Sequence, residues 1–148
     1  HIDGLTQLLN QRSFFSYTSN LSTSATILVF DVDDFKSIND NYGHQYGNEC
    51  LQKVAEIIQQ VYGICGLCYR IGGDEFAVVL NSSENLNKLN ATFVAEQNKA
   101  QIQSGENRFP TISVGYEIFN PEYDDIRDAI QRADYNMYQT KLRKKGKH

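Results

Sequence analysis

No apolar run in this chain approaches the ~20 residues that a bilayer span needs, so no membrane-crossing segment is expected within it. Cysteine is scarce: Cys50, Cys65 and Cys68 are too few for a disulfide framework, and no second pair joins Cys65 and Cys68 to complete a zinc site. Buried or half-buried thiols are the favoured reading, with a redox or zinc module on Cys65 and Cys68 as a weak alternative. Internal repeats and low-complexity linkers are missing, which leaves a single domain over residues 1–148. A formal charge of −4 argues against a surface that wraps a nucleic-acid polymer. Lys141, Arg143, Lys144, Lys145 and Lys147 nevertheless make the C-terminus locally basic, and a small phosphorylated ligand stays compatible. No secretory leader is visible and the chain starts at His1 rather than Met. The expectation is a cytoplasmic domain excised from a longer protein whose sensory or effector domains, or a membrane anchor, lie elsewhere.

What is present is well patterned. Hydrophobic residues make up 41% and charged residues 22%, an ordinary globular balance. Asn10 can cap a helix that carries Phe14, Phe15 and Leu21 inward. Thr26 to Phe30 reads as a buried strand that delivers Asp31 to its end. A short helix from Asp33 or Asp34 to Asn41 is followed by a break over Tyr42 to Gly47, after which Asn48 can cap the next helix. In that helix Leu51, Val54, Ala55, Ile58 and Val61 recur at helical spacing, and Gly63 and Gly66 end it. Leu67–Ile71 and Ala77–Leu80 predict a hairpin whose tip is Gly72-Gly73-Asp74-Glu75-Phe76. Glu84 to Gln103 predicts a surface helix with Leu86, Leu89, Phe93 and Val94 inward. Thr111 to Phe119 predicts a strand. Tyr123 to Lys144 predicts a last helix burying Ile126, Ala129, Ile130, Ala133 and Met137. The whole is an α/β (α+β) sandwich, its sheet mixed or largely antiparallel, with helices on both faces.

Chemistry is concentrated at two acidic segments. Paired glycines reverse a chain where φ is positive and let a ligand approach bare backbone, so Gly72 and Gly73 make the hairpin tip a place for metal and phosphate. The plainer alternative is that Asp74 and Glu75 only keep a turn wet. The second segment, Ile27 to Lys36, weakens that alternative, because a buried strand runs straight into Asp31, Asp33 and Asp34. Bringing Asp31 close to Asp74 or Glu75 is unfavourable unless a cation fills the gap. Magnesium, a hard cation that accompanies triphosphates, suits such oxygens. Backbone N–H groups around Asp34, Phe35 and Lys36 would cradle phosphate at a helix start.

These motifs, together with Asp3-Gly4-Leu5-Thr6, Asn10-Gln11-Arg12, Asn39-Asp40, Tyr42-Gly43-His44, Gly47, Ala133-Asp134 and Met137-Tyr138, occur in an order that resembles the GGDEF domain family of diguanylate cyclases. The resemblance runs from Asp3 to Gly146. It implies a palm-like, nucleotidyl-cyclase-like fold in which two GTP-loaded domains meet as a homodimer and make cyclic di-GMP and two pyrophosphates. It also implies that Asp31, the Val32 carbonyl, Asp74 and Glu75 hold two Mg²⁺ ions, with Mn²⁺ a substitute, and that Asp31, Asp74 and Glu75 are catalytic. Gly72, Gly73, Asp34, Phe35 and Lys36 would then bind substrate, with Lys141 and Lys145 reaching the triphosphate. The plainer reading of those two lysines is a basic helix end complementing its dipole.

Departures from the family pattern are equally specific. Family members read guanine with an asparagine matching Asn39 and an aspartate matching Asn48. A carboxylate can accept from two guanine donors, whereas a carboxamide offers one acceptor and adds donors. Asn48 therefore raises a rival reading, a non-catalytic or altered-specificity (GTP/ATP) module that regulates a tethered partner. The alternative is that Asn48 only caps its helix. Gly63 and Gly66 stand where the family's product-inhibition site has Arg and Asp, so no inhibitory site is expected. Gln7, Leu9 and Gln11 are smaller departures that alter a turn more than chemistry.

Overall fold

Eight consecutive residues, Ala25–Val32, form β1, and all but Asp31 are buried. A strand this apolar on both faces must sit inside a covered sheet. The computed structural model, which describes residues 1–81, 85–105 and 108–146, places it there. The sheet runs β2 (Gly66–Arg70), β3 (Glu75–Asn81), β1, β4 (Ile112–Phe119), and each neighbouring pair is antiparallel. With α2 (Phe35–Tyr42) and α3 (His44–Tyr62) between β1 and β2, and α4 (Leu86–Gln103) between β3 and β4, the connections make a split β-α-β sandwich. This is the expected palm-like class: the four strands are antiparallel, and an isolated parallel bridge joins Leu9 to Tyr69 on the outer edge of β2.

Alternation along the strands divides the core. Leu28, Phe30, Val32, Phe76, Val78 and Leu80 face α3 and α4, where Val54, Ile58, Tyr62 and Phe93 meet them. Ile27, Val29, Ala77 and Val79 face α1 (Gln11–Ser19) and α5 (Ile126–Lys145), packing on Phe14, Ala129, Ala133 and Met137. Gly115 sets the fit of α5: a Cβ there would lie 2.0 Å from the Met137 amide nitrogen and 2.3 Å from the Ala133 carbonyl oxygen. The same helix closes the free edge of β4. Side chains four residues apart on α5 donate to successive outward carbonyls: Asn136 to Tyr116 (3.0 Å), Thr140 to Val114 (3.2 Å) and Lys144 to Ile112 (2.7 Å). Side-chain donors on the edge blunt it against pairing with another strand.

Several expected details shift. Asn10 caps α1, but Phe15 is half exposed because Phe14 takes the inward position, and Leu21 lies beyond the helix end. The break before α3 shrinks to Gly43, whose φ of +88° reverses the chain in one residue. Asn48 therefore lies within α3 and caps nothing. Val94 faces solvent, being one step round the helix from buried Phe93. Asn85 caps α4, and Glu84, the expected start, lies outside the described residues. Asp125 caps α5, so Tyr123 precedes the helix. Cys50 and Cys68 are buried and Cys65 half-buried, none of the three in a disulfide, and burial pushes the Cys68 thiol up to about 12.

Candidate active site

Asp31 and Glu75 are cross-strand partners in the β1–β3 register, so their side chains emerge side by side on the α5 face of the sheet. The hairpin tip folds onto β1 as well, with the Val32 N–H donating to the Asp74 carbonyl at 3.1 Å. Residues more than forty positions apart thus form one acidic rim. The hairpin is as expected, yet its glycines work differently. Neither Gly72 nor Gly73 has a positive φ; a Cβ on Gly73 would meet nothing within 4 Å, so this backbone lies open to an approaching group. The left-handed residue is instead Asp34, with φ 51° at the start of α2.

The rim is electrostatically unsettled. Burial raises the Asp31 carboxyl above its ordinary value, and Asp74 adds to this, although Lys141 pulls the other way. Glu75 is raised too, by burial first and then by Asp31, Asp134 and Asp74. Burial works against the Lys141 ammonium, but the Asp31 carboxylate 2.5 Å away outweighs it and holds the lysine charged. An isolated ion pair would lower its carboxylate. That Asp31 moves upward shows that burial, with Asp74 beside it, outweighs one ammonium. Asp31 Oδ1 is moreover buried without a hydrogen-bond partner. Among the described residues no three acidic or imidazole side chains already stand as a metal shell. A divalent cation nevertheless fits the donors present, since it would satisfy the orphaned oxygen and relieve the crowding.

The residues expected to bind substrate differ in exposure. Asp34 and Lys36 are exposed, and Phe35 packs partly into the main core, leaving the first turn of α2 facing outward. Asn39 has a buried, unpartnered Oδ1 and lies against Gly47, where a Cβ would sit 1.9 Å from it. Asn48 follows Gly47 and is exposed on α3. Lys141 reaches the acidic rim, whereas Lys145 is exposed; Lys144 takes the inward position and binds the Asp33 carboxylate at 2.9 Å.

Sequence reasoning missed some of the framework. Arg70 donates to the Gly72 and Gly73 carbonyls (3.2 and 2.8 Å) and to Asp3 (3.1 Å), which clamps the glycine turn to the N-terminal segment. Its position directly before the turn was the available signal. Asp33 accepts from Thr111 Oγ1 (2.6 Å) and Ser113 Oγ (2.7 Å) as well as from Lys144. Lys144 was hidden in a basic run whose facing cannot be read without the helix.

An open glycine turn and a carboxylate rim thus stand beside a helix start at one end of a palm-like antiparallel sheet. Comparison with known proteins gives the family: the profile of "Diguanylate cyclase, GGDEF domain" matches residues 1–147, and the chain belongs to the GGDEF domain family. It is 34% identical to the diguanylate cyclase DosC of Escherichia coli over 155 aligned positions, 96% of this chain and 33% of that protein. It is also 34% identical to diguanylate cyclase A of Treponema denticola, covering 94% of this chain and 41% of that protein. The chain thus spans between a third and two fifths of these curated relatives. Among solved structures it resembles the coiled coil and GGDEF domain of DgcB from Caulobacter crescentus in complex with c-di-GMP, with TM-score 0.82 and 26% identity over 95% of this chain and 80% of that one. The FimX GGDEF domain of Pseudomonas aeruginosa shares the fold at TM-score 0.80 and 16% identity, covering 96% of this chain and 94% of that one.

Proposed function

We propose that this domain is a diguanylate cyclase module that joins two GTP molecules into cyclic di-GMP. In each half-reaction the 3′-oxygen of one nucleotide attacks the α-phosphorus of the other, the bond to the β-phosphate breaks, and pyrophosphate leaves; the hydroxyl proton is released. One domain holds one nucleotide, so ring closure calls for two copies face to face. The observation that carries the reading is the pairing of Asp31 with Glu75 beside an open glycine turn, with Asp31 Oδ1 left unpartnered. Asp31, Asp74, Glu75 and the Val32 carbonyl would hold Mg²⁺ or Mn²⁺, and two such ions would neutralise phosphate charge and acidify the attacking hydroxyl. Phe35 and Lys36 N–H groups would donate to phosphate oxygens, and Lys141, released from Asp31, would add charge. The relatives' names as diguanylate cyclases support the same reading. Sensory or effector domains fused to this one would account for the relatives' greater length, and a cytoplasmic site of action belongs to the same reading.

A second reading has its own support. Asn48 is not consumed as a helix cap, so its carboxamide is free to meet a base edge beside Asn39. Such a pair would weaken guanine preference or admit adenine, or leave the domain a GTP-binding regulator of a tethered partner. Incubation with Mg²⁺ and GTP, ATP or both, with products resolved by mass, separates these outcomes. Cyclic di-GMP from GTP supports the main reading. Adenine-containing rings support relaxed selectivity, and tight GTP binding without product supports the regulator. Asn48→Asp should raise GTP over ATP preference by about tenfold or more if the carboxamide reads the base. Homodimer catalysis predicts activity rising faster than linearly with protein concentration; strict linearity under dissociating conditions would count against it.

A further inference from the structure

The turn that joins β1 to α2 carries a strained residue, because Asp34 adopts a left-handed φ of 51° without being glycine. Such a conformation persists only where the surroundings over-determine it. Asp34 itself supplies no side-chain cap. Its neighbour does the holding. The Asp33 N–H donates to the Thr111 carbonyl at 2.9 Å. The Asp33 carboxylate, 11% exposed, receives Thr111 Oγ1, Ser113 Oγ and Lys144 Nζ. Lys144 also donates to the Ile112 carbonyl, so one ammonium ties the turn, the edge strand β4 and the last turn of α5 together.

Two lysines three residues apart on α5 thus serve two aspartates two residues apart, Asp31 on β1 and Asp33 just past its end. Lys141 lies on Asp31, in the acidic rim, and Lys144 lies on Asp33, outside it. The division matters because Lys141 is the one a phosphate would draw away. When it moves, Lys144 keeps α5 registered against the turn.

We propose that Lys144 is a positioning residue: with Asp33 it braces the β1–α2 turn in the conformation that presents the Phe35 and Lys36 amides, and it fixes the reach of Lys141. The inference rests on the proposed nucleotide reading for what is positioned, while the brace itself concerns the protein alone. Lys144→Met retains the apolar stem and removes the donors; Lys144→Arg retains charge and can donate to both Asp33 and Ile112.

Two measurements on the intact domain decide it. Amide exchange is followed at Asp33 and Ile38, whose N–H groups donate to Thr111 and Asp34 on either side of the turn. Lys144→Met should speed exchange there by about tenfold while the β1 core amides stay as in the unaltered protein, and Lys144→Arg should restore protection. In parallel, KM for GTP should rise by about tenfold with a smaller change in kcat, again rescued by arginine. Unchanged exchange at both amides, or a fall in melting temperature with uniform loss of protection and no arginine rescue, would overturn the brace. If the unaltered protein neither binds nor converts GTP while the exchange effect appears, the brace stands and the nucleotide reading falls.

Discussion

Strand β2 has a glycine pair at each end, and the two pairs do opposite things. After Arg70, Gly73 stands in open space, where a Cβ would meet nothing within 4 Å. Before Leu67, a Cβ on Gly66 would lie 2.3 Å from the Val79 carbonyl oxygen, and one on Gly63 would lie 2.4 Å from the Gln59 carbonyl oxygen. At the first end glycine leaves room for something to arrive. At the second it leaves room only for the protein itself. The carboxylates belong to the first end, where Asp74 and Glu75 crowd Asp31, so chemistry and packing have been separated along five residues of strand.

The sharpest way to test the first end is to remove its charge. Asp74→Asn and Glu75→Gln should each lower turnover by at least about 100-fold, as expected when a group that stabilises transferring phosphate is lost. Melting temperature should hold or rise, because burial first and then acidic neighbours raise Glu75, and each substitution relieves part of that cost. Full activity in either variant would remove that carboxylate from the chemistry.

Exchanging the two glycine ends gives the next largest effect. Gly66→Ala forces a methyl into backbone and should cost about 1–3 kcal/mol by overpacking, read as a lower midpoint in urea. Gly73→Ala should leave that midpoint within about 0.5 kcal/mol and instead reduce turnover, since its side chain would stand in the approach to bare backbone. If both variants only destabilise, the contrast between the ends is false. A companion test is titration with cyclic di-GMP. Neither Gly63 nor Gly66 offers a side chain to a ligand, so calorimetry should find no site there tighter than about 1 μM. Tight binding lost on changing residues around Gly63 would refute the absence of feedback.

How much of this was legible in the chain differs between the ends for a physical reason. Alternation and helical spacing are local, so β1, the hairpin, α3 and the buried face of α5 follow from the pattern of Ile27, Val54, Phe76 or Ala133. The acidic rim was legible because its two halves each break an apolar strand with carboxylates. The start of α3 was placed too late, at Asn48, since Tyr42 to Gly47 contains two glycines and only the fold selects which one turns. For the Arg70 clamp only the residue's place before the turn was legible, and for the Lys144 brace nothing was. Both depend on contacts spanning 67 and 111 positions, and nothing in a run such as Arg143-Lys144-Lys145 says which cation faces inward.

The smallest expected effect concerns the clamp behind the glycine turn. Burial alone would raise Asp3, but hydrogen bonds from the Thr6 hydroxyl and amide and the Arg70 guanidinium outweigh it, and the carboxyl lies below its ordinary value of 3.8. A depressed folded-state value means that the charged form is the stabilising one. Its contribution is complete above 3.8 and is lost as pH falls through the lower, folded-state value. Asp3→Asn should therefore melt below the unaltered protein at pH 7, and the gap should narrow as the pH is taken from 5 toward 2. Arg70 is itself part-buried, so Asp3→Asn leaves a guanidinium held only by the Gly72 and Gly73 carbonyls, which should loosen the turn and cut turnover modestly. A gap that stays constant across the acid range would show that Asp3 acts through its shape and not its charge, and would detach the N-terminal segment from the electrostatics of the glycine turn.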